Sequence, residues 1–332
     1  MSGTLARTGL IVLVALLLAG CTGTQSVLSP GGVEAERVHL LFWIMTIGSG
    51  IILALVVVLT GLALFGSQSL RSRFANERFI TGLGLFFPVV VLTVLLVYGL
   101  FVMRAGAQSQ APEDGQLRVA IEGELWWWRV TYLDGEGNRI TSANELHLPV
   151  GTPVELALTS DNVIHSFWAP TLAGKLDMIP GRENTLTVTA TRAGVTRGQC
   201  AEYCGGAHAL MAFHVVAHPP QEFEAWLAHA ASPAHEPATA QEQHGAELFQ
   251  QAGCGSCHAV RGTEADGVIG PDLTHVGGRL SLAAATMPNN SQAFSDWIVN
   301  NQHIKPENKM PAYEIFTEEQ LDDLSIYLDS LE

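Results

Sequence analysis

Two long apolar runs dominate the hydrophobic pattern of the first hundred residues. Residues 38–66 and 79–103 contain no Asp, Glu, Lys or Arg, and each exceeds the roughly 20 residues that a membrane-spanning helix needs. Arg71, Arg73 and Arg78 lie in the short loop between them, which predicts a cytoplasmic loop. The sequence therefore predicts a two-helix transmembrane hairpin whose mature termini both lie outside the cytoplasm.

A shorter apolar run precedes these two segments. It covers residues 10–20, follows Arg7, and is too short to span a bilayer, so residues 1–20 are predicted to be a signal peptide. The run ends in the sequence LAGC, which resembles a bacterial lipoprotein signal with Cys21 as the acylated residue. An unlipidated signal followed by an incidental cysteine is the alternative.

Beyond residue 112 the pattern changes to short alternating runs, and turn signals such as LDGEGN at 133–138 separate them. Strands are predicted over residues 117–122, 126–132, 154–159, 185–191 and 212–218. Short strands at this spacing are typical of an all-β sandwich, which we assign to residues 112–228. Residues 229–240 are rich in Ala, Pro, His and Glu without apolar periodicity, which predicts a linker.

The pattern after the linker is helical, so residues 241–332 are predicted to form an all-α domain. One helix is expected over residues 241–252, with Phe249 facing inward. A capping box begins at Thr317 and predicts the start of a terminal helix. Apolar side chains follow at helical spacing and are expected in the core: Leu321, Leu324, Leu328 and Leu331.

Composition supports a membrane-anchored chain of two or three domains. Of 332 residues, 48% are hydrophobic and only 15% are charged, which is lean for a purely soluble protein. The net charge of -15 argues against nucleic acid or an anionic lipid surface as partner, and it favours a basic protein.

A CxxCH motif marks the helical domain. Cys254 and Cys257 match the two thioether positions of a c-type haem, and the adjacent His258 is then placed to bind the iron. A zinc site built on the same cysteines is the alternative. The region of Pro271 is expected to lie behind His258, as in small bacterial cytochromes c, which this segment resembles.

The second axial ligand of an electron-transfer haem is usually Met, because a thioether raises the reduction potential. Met310 and Met287 are the two candidates, and each precedes a proline. Met310 is preferred because it lies just before the terminal helix, as in small bacterial cytochromes c.

A second cluster of metal-binding residue types lies in the β-rich region. Cys200, Cys204, His208 and Met211 fall within twelve positions, and His165 lies upstream on another segment. Soft sulfur donors mixed with imidazole suit copper, but a single blue copper ion needs only one Cys. Two thiolates could instead bridge two copper ions, with the histidines as terminal ligands and the methionine as a weak one. A structural disulfide between the cysteines is the alternative.

This motif, CxExCGxxHxxM preceded by HSF, resembles the dinuclear copper A centre of cytochrome c oxidase subunit II. The resemblance implies a cupredoxin fold for the sandwich. It also implies that the backbone carbonyl of Glu202 binds copper and that its carboxylate lies near a magnesium site shared with subunit I. Cys21, Cys200, Cys204, Cys254 and Cys257 then all have roles, and none remains for a disulfide.

The same resemblance assigns a role to the first of three consecutive tryptophans. Trp126 corresponds to the surface tryptophan through which cytochrome c delivers electrons, and Trp128 is expected to be buried. Packing of Trp126 against a membrane face or a neighbouring subunit is the alternative. The sequence departs from the family at Leu125 and Val130 beside this motif, and at Asn162, where the family commonly has Asp.

A further departure concerns proton uptake. Many family members have a glutamate seven residues before the proline of the second helix, and counting back from Pro88 gives Thr81 here. Glu77 is the nearest carboxylate and is the candidate for the proton-channel residue, with a simple loop charge as the alternative.

The resemblance therefore implies subunit II of a bacterial inner-membrane cytochrome c oxidase, with a fused C-terminal cytochrome c domain. Electrons are expected to pass from a basic cytochrome c donor to haem c, then to the dinuclear copper centre, then to subunit I, where oxygen is reduced. Subunit III is a further expected partner, and the chain is an enzyme only within the complex. The alternatives are a dicopper subunit of a nitric oxide reductase and a membrane-anchored redox or copper-delivery protein.

Overall fold

The computed structural model describes residues 23–108, 117–133 and 139–332. The predicted signal peptide, Cys21 and most of the turn at 133–138 lie outside the described residues. The chain divides into two compact units, Glu36–Ala111 on the one hand and Met1–Ala35 with Pro112–Glu332 on the other.

The first unit is helical, and it contains the two apolar segments. Its helices are α1 (Val33–Phe65), α2 (Gln68–Phe74), α3 (Glu77–Thr81) and α4 (Phe87–Gln108). Val33–Phe65 and Glu77–Arg104 are long and apolar enough to cross a membrane, which confirms the two predicted spans. Ser67 and Asn76 cap α2 and α3 through side-chain hydrogen bonds to backbone N–H groups.

A π-helical turn over Gly82–Phe86 joins α3 to α4 and ends two residues before Pro88. Proline lacks a backbone N–H group, and its ring clashes with the carbonyl four residues earlier in an ordinary α-helix. A wider turn at this point relieves the clash and lets the apolar segment continue as one helix.

The second unit begins with a sandwich of two five-stranded sheets, which confirms the predicted β-sandwich. The strands are β1 (Leu117–Gly123), β2 (Trp128–Leu133), β3 (Arg139–Ala143), β4 (Glu145–Pro149), β5 (Val154–Ser160), β6 (His165–Trp168), β7 (Leu176–Met178), β8 (Asn184–Val188), β9 (Gly194–Cys200) and β10 (Ala212–His218). One sheet has the order β3-β2-β1-β5-β8 and the other β4-β10-β9-β6-β7. Trp128, Phe167 and Phe213 contact one another in the core between the sheets.

Four helices of more than one turn follow the sandwich: α5 (Pro220–Ala231), α6 (Ala240–Gln251), α7 (Ser291–Ile304) and α8 (Glu318–Ser330). Helix α5 ends within the predicted linker, and α6 begins with a capping box at Thr239. Helices α6 and α8 pack closely at Gly245, where a Cβ would overlap the backbone of Asp323. The predicted all-α domain is confirmed.

The core of the helical domain contains most of the residues that the periodic pattern placed there. Phe249, Leu324, Leu328 and Leu331 are buried, and Leu321 is half-buried against them. The capping box at Thr317 is present, with the Thr317 side chain accepting a hydrogen bond from the Gln320 N–H group.

We expect Leu324→Ala to destabilise the helical domain by about 2–5 kcal/mol, because it opens a cavity at a side chain that is 1% exposed. Ile315→Ala is the matched control, since Ile315 is 73% exposed in the same domain. Thermal unfolding of the purified protein, followed by near-ultraviolet circular dichroism, measures both. Equal stability of the two variants would contradict the assigned core.

Candidate copper and haem sites

Three neighbouring strands bring the predicted copper ligands together. His165 opens β6, Cys200 ends β9, and Met211 directly precedes β10. The antiparallel register pairs Phe167 of β6 with Cys200. The Cys200 N–H group donates to the Met211 carbonyl at 2.9 Å and closes the loop between β9 and β10. Sheet pairing therefore fixes both ends of the loop that carries the other ligands.

The donor atoms of this cluster have spacings that suit a metal site. The two thiol sulfurs of Cys200 and Cys204 are 3.7 Å apart, and Cys204 Sγ lies 3.3 Å from His208 Nδ1 and 3.9 Å from Met211 Sδ. Cys200 Sγ lies 3.8 Å from His165 Nδ1. A metal–sulfur bond of about 2.3 Å gives tetrahedral sulfur donors about 3.8 Å apart, so the separations fit shared metal ligation. Both cysteines are free, and the alternative of a disulfide is wrong.

The donors are arranged in two halves around the thiol pair. Among the described residues, His165, Cys200 and Cys204 form a group whose ligand atoms all lie within 4.8 Å of one another. His208 does not belong to that group and contacts the opposite sulfur, Cys204 Sγ. Each sulfur thus has one imidazole beside it.

The protonation of the two thiols is coupled through their hydrogen bond. That bond, assisted by hydrogen bonds with His165 and the Glu202 backbone, lowers the pKa of Cys200 well below its usual range. The same bond, together with burial, raises the pKa of Cys204. The pair therefore loses one proton readily and the second with difficulty, and a bound cation would favour release of both.

Glu202 presents its backbone and its side chain to different surroundings. Its carbonyl lies 3.1 Å from Cys200 Sγ, where it can join the donor set. Its carboxylate is half-exposed and lies 4.0 Å from Lys175 Nζ, which is also 3.7 Å from Asp177.

Gly123, which the sequence patterns did not single out, makes room for His165. A Cβ at this end of β1 would lie 2.7 Å from His165 Cδ2 and 2.9 Å from Cγ, closer than real Cβ contacts. The His165 ring is 0% exposed, so it has no space into which to move. No sequence signal distinguishes this glycine from one at any other strand end.

The expectation that Trp126 lies at the surface is wrong. Its side chain is only 5% exposed, and its indole N–H group donates to the Cys204 carbonyl at 2.9 Å. Trp128 is buried as expected, and Trp127 is the more exposed member of the three, with the Arg129 guanidinium 4.7 Å from its ring centroid. A donor protein therefore cannot contact Trp126 directly. The indole instead contacts, from inside the protein, the loop of residues 200–211 that carries the candidate copper ligands, which we call the copper loop.

The CxxCH segment forms a short 3-10 turn over Cys254–Ser256. His258 Nδ1 hydrogen-bonds to the Pro271 carbonyl at 2.7 Å, as the sequence predicted for the Pro271 region. This bond orients the ring and leaves Nε2 as the atom that can bind iron. A Cβ on Gly270 would lie 2.5 Å from the His258 ring, so a glycine again makes room for a candidate ligand histidine.

Cys254 and Cys257 are free, as attachment of haem requires. Burial lowers the pKa of His258, which favours the neutral imidazole that binds a metal. Within the described part of the chain, these three residues form no close group of metal-ligand atoms, which disfavours the zinc alternative.

The two candidate axial methionines lie in different backbone settings. Amide side chains hold the segment around Met310: Asn308 Oδ1 accepts from its N–H group at 2.9 Å, and Gln302 donates to its carbonyl at 2.8 Å. Asn301 donates to the carbonyl of the following Pro311. Met287 instead forms an isolated β-bridge with Leu282. Both side chains are half-buried against the domain core.

Three features together define a membrane-anchored redox protein. They are a cupredoxin-like sandwich with a Cys/His/Met loop, two apolar spans, and a helical domain with a CxxCH motif. Residues 129–218 match the family model for the periplasmic domain of cytochrome c oxidase subunit II, and residues 242–332 match that for cytochrome c. The chain belongs to the cytochrome c oxidase subunit 2 family and is a component of a haem-copper oxidase complex, which implies a subunit I partner.

Relatives cover almost the whole chain. Cytochrome c oxidase subunit 2 of Alkalihalophilus pseudofirmus is 30% identical over 329 residues, 95% of this chain and 94% of the relative. The Bacillus subtilis subunit is 28% identical over an alignment of 346 positions, which covers 97% of this chain and 96% of the relative. Among solved structures, the periplasmic domain of subunit II (CoxB) of Bradyrhizobium japonicum covers 36% of this chain and 96% of its own, with 30% identity and a TM-score of 0.34.

We expect Gly123→Ala to weaken copper binding by about 10- to 100-fold, because the added methyl group displaces the His165 ring. Gly174→Ala is the control, since a Cβ there meets no atom within 4 Å. Copper titration of the two variants, followed by absorbance, compares the affinities. Wild-type affinity in the Gly123 variant would show that His165 is not a ligand in this position.

Proposed function

We propose that this chain is the electron-accepting subunit of its oxidase. Its C-terminal domain receives electrons from a cytochrome c donor, and its copper loop delivers them to subunit I. The observation that carries the proposal is the thiol pair of Cys200 and Cys204, 3.7 Å apart with an imidazole beside each sulfur. Bound copper and haem c would each supply one-electron redox chemistry.

The arrangement of the loop supports two copper ions rather than one. Cys200 and Cys204 would bridge the pair, His165 and His208 would bind one ion each, and Met211 and the Glu202 carbonyl would be weaker ligands. The thiols and His165 are buried, so water is excluded from the ligands that carry most of the charge. Strand pairing at both ends of the loop limits ligand movement, which keeps the rearrangement that accompanies each electron small.

The C-terminal domain would hold haem c covalently through Cys254 and Cys257. His258 and Met310 would be the axial ligands. The hydrogen bond from His258 Nδ1 to Pro271 supports the first assignment, and the amide side chains around Met310 support the second. Trp126 belongs to the proposed route as a buried bridge, because its indole is hydrogen-bonded to the carbonyl of a copper ligand.

The remaining assignments concern partners and location. The half-exposed Glu202 carboxylate remains accessible to a magnesium ion shared with subunit I. The net charge of -15 supports a basic donor. Subunit III is a further proposed partner, and Glu77 the proposed proton-channel residue. We place the redox domains on the external side of a bacterial inner membrane, with lipidation at Cys21.

Cys200→Ser tests the copper assignment. We expect electron transfer from donor to subunit I to fall by more than about 100-fold, because even outer-sphere partners of a metal site cost up to that factor. Stopped-flow spectroscopy of the purified complex measures the transfer. Tyr203→Phe is the control, because Tyr203 lies in the same loop and is 76% exposed. Undiminished transfer in the Cys200 variant would refute the proposal.

The two methionines give a matched pair of variants for the haem. Met310→Leu is expected to remove the thioether ligand and lower the haem reduction potential, whereas Met287→Leu should leave it unchanged. Redox titration of the haem absorption measures both potentials. The opposite result would assign the ligand to Met287.

A further inference from the structure

The cytochrome c domain contacts the copper domain through residues 280–286, which we call the docking segment. The Ala212 N–H group, next to Met211 of the copper loop, donates to the Ala284 carbonyl at 3.3 Å. In the other direction, the Leu280 N–H group donates to Glu145 Oε1 at 2.6 Å, and Glu145 is only 4% exposed. Both amides are therefore hydrogen-bonded across the boundary between the two domains.

The backbone of the docking segment is unusual at three consecutive alanines. Ala283, Ala284 and Ala285 have φ angles of 53°, 61° and 58°, a left-handed conformation that residues other than glycine adopt rarely. All three carbonyls accept hydrogen bonds: that of Ala284 from Ala212 at the start of β10, that of Ala285 from Arg197 of β9 at 3.4 Å, and that of Ala283 from Lys305 at 3.1 Å. The strained backbone thus presents its acceptors to the domain boundary.

Lys305 links the two domains at this point. It directly follows α7, its side chain is 3% exposed, and its Nζ donates to the Leu210 carbonyl at 3.0 Å as well as to Ala283. Burial lowers the pKa of Lys305 to about 7, and the amine is a donor in either protonation state. Leu210 lies between the candidate ligands His208 and Met211, so one amine connects the copper loop to the docking segment.

Other contacts hold the same two surfaces together. Thr286 Oγ1 donates to the Leu210 carbonyl at 3.3 Å, beside the Lys305 amine. Arg129, which follows the three tryptophans, donates to the carbonyl of Val268 at 2.9 Å. Val268 lies between the CxxCH motif and Pro271, so this contact joins the candidate haem site to the tryptophan segment.

We propose that Lys305 is the positioning residue that fixes the cytochrome c domain on the copper loop, and so sets the rate of electron transfer between their redox centres. The inference rests on the proposed function for the transfer step. The docking step does not need bound metal, because every contact that defines it lies between protein atoms.

Lys305→Met tests the docking step, since it keeps an unbranched apolar stem and removes the donor. The carbonyls of Leu210 and Ala283 then no longer accept a hydrogen bond from residue 305. We expect hydrogen exchange of the Ala212 and Leu280 amides to accelerate by about tenfold, the usual effect of leaving a buried acceptor unpaired. Hydrogen–deuterium exchange with mass spectrometry on the purified complex measures peptides that contain these amides.

Two controls make the exchange result specific. Lys309→Met makes the same chemical change at an exposed lysine of the same domain and should leave both amides as in the wild type. Peptides of α8 should exchange at the wild-type rate in Lys305→Met, whereas a role confined to the stability of the helical domain would accelerate them too. Wild-type exchange of Ala212 and Leu280 in Lys305→Met would overturn the proposal.

A second variant tests whether Thr286, rather than Lys305, holds the two domains together. Thr286→Val keeps the side-chain size and removes the neighbouring donor to Leu210, while the Lys305 amine remains. It should accelerate exchange of the same amides less than Lys305→Met does. An equal or larger effect of Thr286→Val would assign the anchoring role to Thr286 and overturn the proposal for Lys305.

The transfer step is measured separately in the loaded complex. After rapid reduction of haem c, the electron should reach copper about tenfold more slowly in Lys305→Met, because without the amine the two redox centres are no longer held in one geometry, with unchanged haem and copper spectra. An unchanged rate would overturn the proposal. Absence of haem-to-copper transfer in the wild-type complex would instead refute the proposed function, and the exchange experiment would still decide whether Lys305 docks the domains.

Discussion

The 3.7 Å separation between the sulfur atoms of Cys200 and Cys204 is the constraint on which the rest of the site depends. Two free thiols keep this distance because the strands at both ends of their loop are paired. The Cys200 N–H group donates a hydrogen bond to the Met211 carbonyl across the loop. His165 reaches one sulfur from β6, and His208 reaches the other from within the loop. The sandwich therefore forms a rigid frame that holds the candidate metal ligands in place.

The residues around the candidate redox sites also hold the candidate ligands and the two domains in fixed positions. Gly123 and Gly270 each leave space for a ligand histidine, so the imidazoles are positioned by close packing as well as by hydrogen bonds. Burial of Trp126 removes it from the surface, and the fused cytochrome c domain is held to the copper loop next to it. In the proposed function, the fused domain would replace the transient encounter that a separate donor would need at this surface.

The sequence alone was sufficient for the features that depend on local chemistry. Spacing pointed to the candidate donor residues of both sites, and alternation identified strands such as β1, β5 and β10. Strands β6 and β7 were missed because they have only four and three residues, too few for an alternating pattern to be recognised. Burial of Trp126, the fit of Gly123 against His165 and the docking role of Lys305 depend on residues distant in sequence. No local pattern encodes such contacts.

The central claim is that the two thiolates hold a pair of copper ions that shares one electron. Electron paramagnetic resonance of the oxidised complex tests it most directly, because the hyperfine pattern reports how many copper nuclei carry the unpaired spin. We expect the pattern of one electron delocalised over two equivalent nuclei, and that pattern should disappear in the Cys200→Ser variant. A signal from this chain with the hyperfine pattern of a single copper nucleus would contradict it.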